Sequence, residues 1–196
     1  MAFLDPNKEQ IREKINALSP ISDLAWSDLS LLFETQEFKP NEKLLSAGEM
    51  AKYVYFIHSG LIRSYVLTDN GEEFSKSITN SKNFYAPISS LVTKSPSAFY
   101  VESLTKTIIS KAPFSELEKL HKKHPDLEHF YRKQMEWLYI QYERSEIELA
   151  TQDAKQRYLN LQKRINDIDN LIPQYKIASF LGITNVQLSR IRRNLK

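Results

Sequence analysis

The chain has 196 residues, of which 41% are hydrophobic and 26% charged, with a net charge of +3 and no cysteine. That length allows one sensor-sized domain and a smaller second one, and the composition is that of an ordinary globular protein. Disulfides, thiolate zinc sites, cysteine nucleophiles and cysteine-ligated iron–sulfur clusters are excluded together. The sequence contains no run of eighteen apolar residues, and MAFLDPNKEQ lacks the basic and apolar blocks of a leader. A cytoplasmic protein without a membrane partner is therefore expected. The charge is unevenly placed: from Asp153 onward nine Lys/Arg face three acids, while the remainder holds eighteen bases against twenty-one acids. A basic end on an acidic body suits a module that binds a polyanion.

In chain order, residues 6–18 predict an amphipathic helix carrying Ile11, Ile15 and Leu18, ended by Pro20. Residues 23–34 predict a second, with Leu24, Leu31 and Leu32 interleaved with Trp26 and Leu29. From Thr35 the pattern changes to short runs separated by turn residues, at 38–42, 47–49, Ser59-Gly60 and Asp69-Asn70-Gly71. The runs at 53–57, 61–67, 74–78, 98–104 and 107–111 read as strands. Several short strands at this spacing predict an antiparallel barrel or double-sheet roll. Residues 112–114 close the roll, and 115–123 form a short helix.

Pro125 then opens a long helix to about Thr151, roughly 40 Å at the usual rise. Tyr131, Met135, Leu138, Tyr142, Ser145 and Leu149 recur at alternating four- and three-residue steps, the seam two chains would share in a homodimer. Leu127, Phe130 and Trp137 form a second stripe facing the roll. His121, His124 and His129 lie close together, but Pro125 interrupts the helix and lysines flank them, so they read as solvated rather than metal-binding. The chain has neither a Ser-His-Asp arrangement nor, with four glycines, a phosphate-cradling loop.

From Asp153, Tyr158, Leu159, Leu161, Ile165 and Leu171 fit a supporting helix and short loop. Residues 174–196 then read as two short helices about a turn at Leu181-Gly182-Ile183. Pro173 marks the start of the first, which is lined by Ile177, Ala178 and Leu181. Gly182 can take positive φ, and Thr184 is an N-cap for the second helix, which turns Leu188 and Ile191 inward. The opposite face carries Asn185, Gln187, Ser189, Arg190, Arg192 and Arg193 and no acid. Amides and guanidinium groups on a braced helix are what a helix-turn-helix offers to base edges and phosphates.

The run IASFLGITNVQLSRIRR closely resembles the recognition segment of Crp/Fnr-type bacterial transcription regulators, and residues 153–158 resemble the start of their DNA-binding domain. Gly48, Glu49, Val54, Tyr55, Phe56, Ile57, Gly60, Ile62 and Arg63 resemble the conserved run of that family's cyclic-nucleotide-binding roll. The resemblance implies an α+β protein in three parts. Residues 1–114 would form an N-terminal antiparallel β-roll, of the double-stranded β-helix kind, with N-terminal helices. Residues 115–152 would form a short helix and the dimerisation helix, and 153–196 the helix-turn-helix domain. It further implies a homodimer on a palindromic operator in double-stranded DNA, contact with RNA polymerase, and signalling through the long helix.

Thr184 is expected to cap the recognition helix and donate to phosphate. Asn185, Val186, Gln187, Ser189 and Arg190 are expected to face the bases, and Arg192, Arg193 and Lys176 to bind phosphates. The family's wing beyond the recognition helix lies outside this sequence, so either more of the affinity is expected to rest on that helix or the sequence is truncated before the wing. The family's nucleotide cassette is not matched: its Gly-Glu pair falls on Ala86-Pro87 and its Arg-Ser pair on Ser97-Ala98. A buried cyclic phosphate without its guanidinium would be an unpaired charge, so a response to cyclic AMP or cyclic GMP is not expected, and no cofactor is implied. Tyr85, Ser89, Ser90, Ser97 and Phe99 would line a pocket for another small-molecule effector, or simply belong to the core. One rival reading is a small-molecule-binding roll whose terminal helices mediate protein contacts. A cupin-like metal enzyme is another, and it would need clustered His and Glu where only His58 lies in the roll.

Overall fold

The computed structural model describes residues 6–195. Two helices, α1 (Pro6–Leu18) and α2 (Asp23–Ser30), precede eight short strands: β1 (Glu34–Phe38), β2 (Lys43–Leu45), β3 (Tyr53–Ser59), β4 (Leu61–Leu67), β5 (Glu73–Asn80), β6 (Asn83–Tyr85), β7 (Tyr100–Ser103) and β8 (Thr107–Pro113). A six-residue helix, α3 (Ile88–Thr93), lies between β6 and β7. The strands form two antiparallel four-stranded sheets in the orders β1-β8-β3-β6 and β2-β7-β4-β5. Consecutive strands alternate between sheets often enough to wind the chain into a roll. Its interior is filled by Phe38, Leu45, Tyr55, Ile57, Ile62, Phe99, Val101 and Ile109, all buried.

Side chains alternate between the faces of a strand, so a roll has two outer surfaces to cover. The first sheet is covered by α1, α2 and two later helices, α4 (Phe114–Lys123) and α5 (Pro125–Thr151). Ile11, Ile15, Ala25, Leu29, Phe56, Leu117 and Leu127 meet there, with Phe130 packed against them. The second sheet is covered by the C-terminal helices α6 (Ala154–Arg164), α7 (Ile168–Leu171), α8 (Gln174–Leu181) and α9 (Asn185–Arg193). Leu61, Ile78 and Leu104 from that sheet share one core with Tyr158, Leu161, Ile165, Ile168, Ile177 and Leu188.

The strand runs expected at 53–57, 61–67, 74–78, 98–104 and 107–111 are all present with ends moved by a few residues, and the helix at 125–151 matches α5. The second helix is shorter than expected. It stops at Ser30 because only Phe33 of the following apolar run is buried, and Leu31 stays 76% exposed. Strands β1, β2 and β6 and helix α3 are not among the expected runs, since segments of three to six residues are too short to show a clear period.

His124 is a correction. It is buried rather than solvated, with its Nε2 2.7 Å from Asp28 Oδ2. Hydrogen bonds from Lys123 and His124 hold the Asp28 carboxyl below its ordinary pKa. The His121 ring lies 4.8 Å from that of Tyr131, tilted by 33°, so Tyr131 faces α4 rather than standing free for a seam. Leu171, expected in the supporting core, is 43% exposed, and Ile168 and Ile172 occupy that core instead.

Gly60 fixes the β3–β4 turn. Its φ is +88°, and a Cβ there would meet Thr107 Oγ1 at 2.4 Å and the Lys106 carbonyl at 2.5 Å. Gly71 also has positive φ, but a Cβ there would meet nothing within 4 Å. Gly71→Ala is therefore expected to incur only the backbone part of the cost, about 1 kcal/mol, and Gly60→Ala about 3 kcal/mol or more. Urea denaturation of the two variants side by side checks that order.

Candidate nucleic-acid interface

Helix α8 ends at Gly182, whose φ of 66° turns the chain. Ile183 donates its N–H back to the Ala178 carbonyl at 3.1 Å, closing the helix end. Thr184 then opens α9 with a complete capping box: its Oγ1 accepts from Gln187 N, and Gln187 Oε1 accepts from Thr184 N at 2.8 Å. Ala178 is 3% exposed and Leu188 fully buried, so α9 crosses close over α8. Gln174 adds a strut, donating from Nε2 to the Asn185 carbonyl at 2.8 Å.

Asn185, Val186, Gln187, Ser189, Arg190 and Arg193 are all exposed on α9. They form one acid-free surface, with Val186 61% exposed among the polar groups. In the capping box Thr184 Oγ1 and Gln187 Oε1 both accept, so the Thr184 hydroxyl and the Gln187 amide hydrogens stay available to donate beside Asn185, Ser189, Arg190 and Arg193.

Two residues assigned to phosphates from the sequence stand elsewhere. Lys176 is 2% exposed, with Nζ 2.7 Å from Glu102 Oε1 and 2.6 Å from Asn41 Oδ1. Its ammonium is spent inside the molecule and cannot reach DNA in this arrangement. Arg192 is only partly exposed and works as a brace. Its Nε donates to Tyr158 Oη at 3.2 Å and one terminal nitrogen to Gln174 Oε1 at 3.3 Å, while the other pairs with Asp169. Tyr158 donates to the same carboxylate, and Gln162 donates to both at 2.9 Å. Burial, then the Asp169 hydrogen bond, raises the Tyr158 pKa and keeps its proton in place. Helix α9 is thus fastened to α6, α7 and α8 by one arginine. The sequence held no sign of this, because all of these partners are distant along the chain or on other faces.

Helix α8 has a second attachment that sequence reasoning missed. Lys176 and Ser179, three apart, share a face. Ser179 Oγ donates to the Glu73 carbonyl at 2.7 Å and accepts from Ser75 N at 2.9 Å. Beneath Lys176, Glu102 Oε1 also accepts from Arg63 Nε at 2.7 Å. Arg63, 1% exposed, lies 4.2 Å over the Tyr65 ring, donates to Ser75 Oγ at 3.1 Å and pairs with Glu73. Burial alone would raise the Glu102 carboxyl, but hydrogen bonds from Lys176 and Arg63 outweigh it and hold the pKa below its ordinary value.

The residues expected to line an effector pocket are not gathered into one site. Phe99 lies in the roll interior, and Tyr85 packs against the same cluster, its hydroxyl pKa raised by burial. Ser90 and Ser97 are buried, but their hydroxyls hold backbone: Ser90 donates to the Ser95 carbonyl at 2.5 Å and Ser97 to the Phe99 carbonyl at 2.7 Å. Ser89 is exposed on α3. Lys76 lies 4.6 Å over Phe99 and donates to Tyr142 Oη of α5 at 3.3 Å, so Tyr142 too faces the roll. His58 and Ser110 form a buried pair at 2.7 Å under α1, closed to any substrate. Among the described residues no group of His, Cys, Asp or Glu is placed to hold a metal, and no helix is long and apolar enough to cross a membrane.

Residues 35–124 match the family described as the cyclic nucleotide-binding domain. Three solved structures share the fold over most of the chain. FixK2 from Bradyrhizobium japonicum is 19% identical, with a TM-score of 0.71 over 83% of this chain and 84% of its own. A transcriptional regulator of the crp/fnr family from Eubacterium rectale is 15% identical, with a TM-score of 0.71 over 89% of this chain and 83% of its own. The c-di-GMP responsive global regulator CLP of Xanthomonas campestris is 13% identical, with a TM-score of 0.68 over 89% and 91%. No curated protein matches the chain in sequence at a significant level.

A carboxylate whose folded pKa lies below its unfolded one stabilises fully at neutral pH, and the contribution is lost as pH falls through the folded value. The Glu102 contact is therefore expected to hold from neutral pH through the ordinary carboxylate range and to fail only in stronger acid. Glu102→Gln takes the only carboxylate from buried Lys176 and one of two from Arg63, and is expected to cost about 3–5 kcal/mol at neutral pH. Its melting temperature plotted against pH should show a shallower acid limb than that of the parent.

Proposed function

We propose, from the cyclic nucleotide-binding domain at residues 35–124 and the Crp/Fnr-type fold around it, that the protein is a DNA-binding transcription regulator. The observation that carries this reading is the acid-free, exposed face of α9 on a helix capped at Thr184 and braced through Arg192. Asn185, Val186, Ser189 and Arg190 are its base-facing residues, Gln187 stands at the cap beside them, and Arg193 binds phosphate. Arg190 is the residue that pairs with guanine, since a guanidinium is the bidentate partner of that base.

The active form is a homodimer on a palindromic site, because one such helix reads one half-site and paired half-sites lie about 34 Å apart. Helix α5 supports this reading with Tyr139 at 69%, Ile147 at 57% and Leu149 at 65% exposure, large apolar side chains left open to water around its outer half. The dimer contact thus falls on the second half of α5, beyond Tyr131. The regulator does not respond to cyclic AMP: Ala86-Pro87 and Ser97-Ala98 stand where the ribose and phosphate contacts would be, and Ser97 already holds the Phe99 carbonyl.

Selection of bound duplexes from a random pool tests the reading, and a palindrome reports operator and dimer together. Against the selected site, Arg190→Ala is expected to lose about 1–3 kcal/mol and to relax preference at one base position. Arg193→Ala is expected to weaken all sequences alike and to reduce the salt slope by about one. If Arg190→Ala changes neither affinity nor preference, the role assigned to that face is wrong.

A further inference from the structure

Helix α8 uses one face for the helix-turn-helix core, through Ile177, Ala178 and Leu181, and the other for the roll, through Lys176 and Ser179. The second contact is not incidental surface packing. Lys176, Glu102 and Arg63 are 2%, 5% and 1% exposed, and each has its charge met by another buried or half-buried partner. Charges leave water at a cost, and they stay together only where geometry and hydrogen bonds are fully supplied. Here Asn41 accepts the second Lys176 bond, Ser75 and Glu73 take the rest of Arg63, and Tyr65 covers the guanidinium. Undocking the helices would leave Glu102 and Arg63 under water but Lys176 alone on α8, and would open the shared apolar core at Leu61, Ile78 and Leu104.

We propose that Lys176, Glu102, Arg63 and Ser179 are positioning residues that clamp the helix-turn-helix onto the second sheet of the roll and so fix the direction in which α9 points. The clamp works by orientation and not by masking. Every base-facing residue of α9 is exposed while α8 is docked, with Val186 at 61%. A dimer must present two recognition helices at one separation, and a module already held in one pose loses less freedom on binding. The same contact gives the roll a direct hold on the reading module, since β4, β5 and β7 supply Arg63, Ser75 and Glu102. A change in the roll that moves these strands moves α9 without passing through α5. The orienting role rests on the DNA-binding reading given above, whereas the clamp itself does not.

Hydrogen–deuterium exchange on the full chain, with α1 and α2 as internal reference, reads the clamp without DNA. Lys176→Met and Ser179→Ala break it at separate points. Both are expected to speed exchange in β5 and α8 by about tenfold while leaving α9 and α6 little changed, since local opening exposes only the docked amides. Affinity for the palindrome selected from the random pool is then expected to fall by about fivefold at fixed salt. Unchanged exchange in both variants overturns the clamp, and faster exchange with equal or tighter DNA binding overturns its orienting role. If the parent selects no duplex, the DNA reading falls and the orienting role with it, while exchange alone still decides whether the clamp exists.

Discussion

One carboxylate, Glu102, is shared by two buried cations that come from different parts of the chain, Arg63 from β4 and Lys176 from α8. Losing Glu102 leaves the buried Lys176 with only the Asn41 side-chain oxygen, and losing Lys176 leaves Glu102 to Arg63 alone, so all three charges are fully met only when β4, β7 and α8 come together. That requirement ties the outer face of the second sheet to the C-terminal helices. Around it the apolar core of the helix-turn-helix takes in three side chains of the roll, Leu61, Ile78 and Leu104. The protein is therefore not a roll and a helix pair joined by a hinge. It is a roll whose two outer faces are covered by two different sets of helices.

The same logic governs helix α9 one layer further out. Each nitrogen of the Arg192 guanidinium is engaged, with Tyr158, Asp169 and Gln174, and Gln174 in turn holds the Asn185 carbonyl. The basic end of the chain thus divides its charges between two tasks. Lys176 and Arg192 fix the helices in place, and Arg190 and Arg193 remain in solvent on the exposed face. Net positive charge in this region measures both, so charge alone overstates how much of it is available to a polyanion.

In the roll, function and structure separate differently. The hydroxyls of Ser90 and Ser97 hold loops, and Phe99 fills the interior, so residues that could have served a ligand serve the scaffold. What stands open to solvent is the contact of Lys76 with Tyr142, where the roll meets the long helix. On the outer part of that helix the side chains of Tyr139, Ile147 and Leu149 stay exposed.

Much of this was legible in the sequence because it depends on local rules. Period-two runs between turn residues gave the strands, Pro125 and the heptad-like spacing gave α5, and Gly182 with Thr184 gave the turn and cap of the helix pair. The exposed face of α9 followed from helical geometry once Leu188 was assigned inward. Tertiary structure decided the rest. Lys176, Arg192 and His124 looked like solvated or phosphate-facing cations, because a charged side chain in a polar stretch has no sequence mark that tells surface from buried pair. Their partners, Glu102, Asp169 and Asp28, lie 74, 23 and 96 positions away. Pairing across such separations is set by which faces the packed elements bring together, and no period or spacing along the chain encodes it.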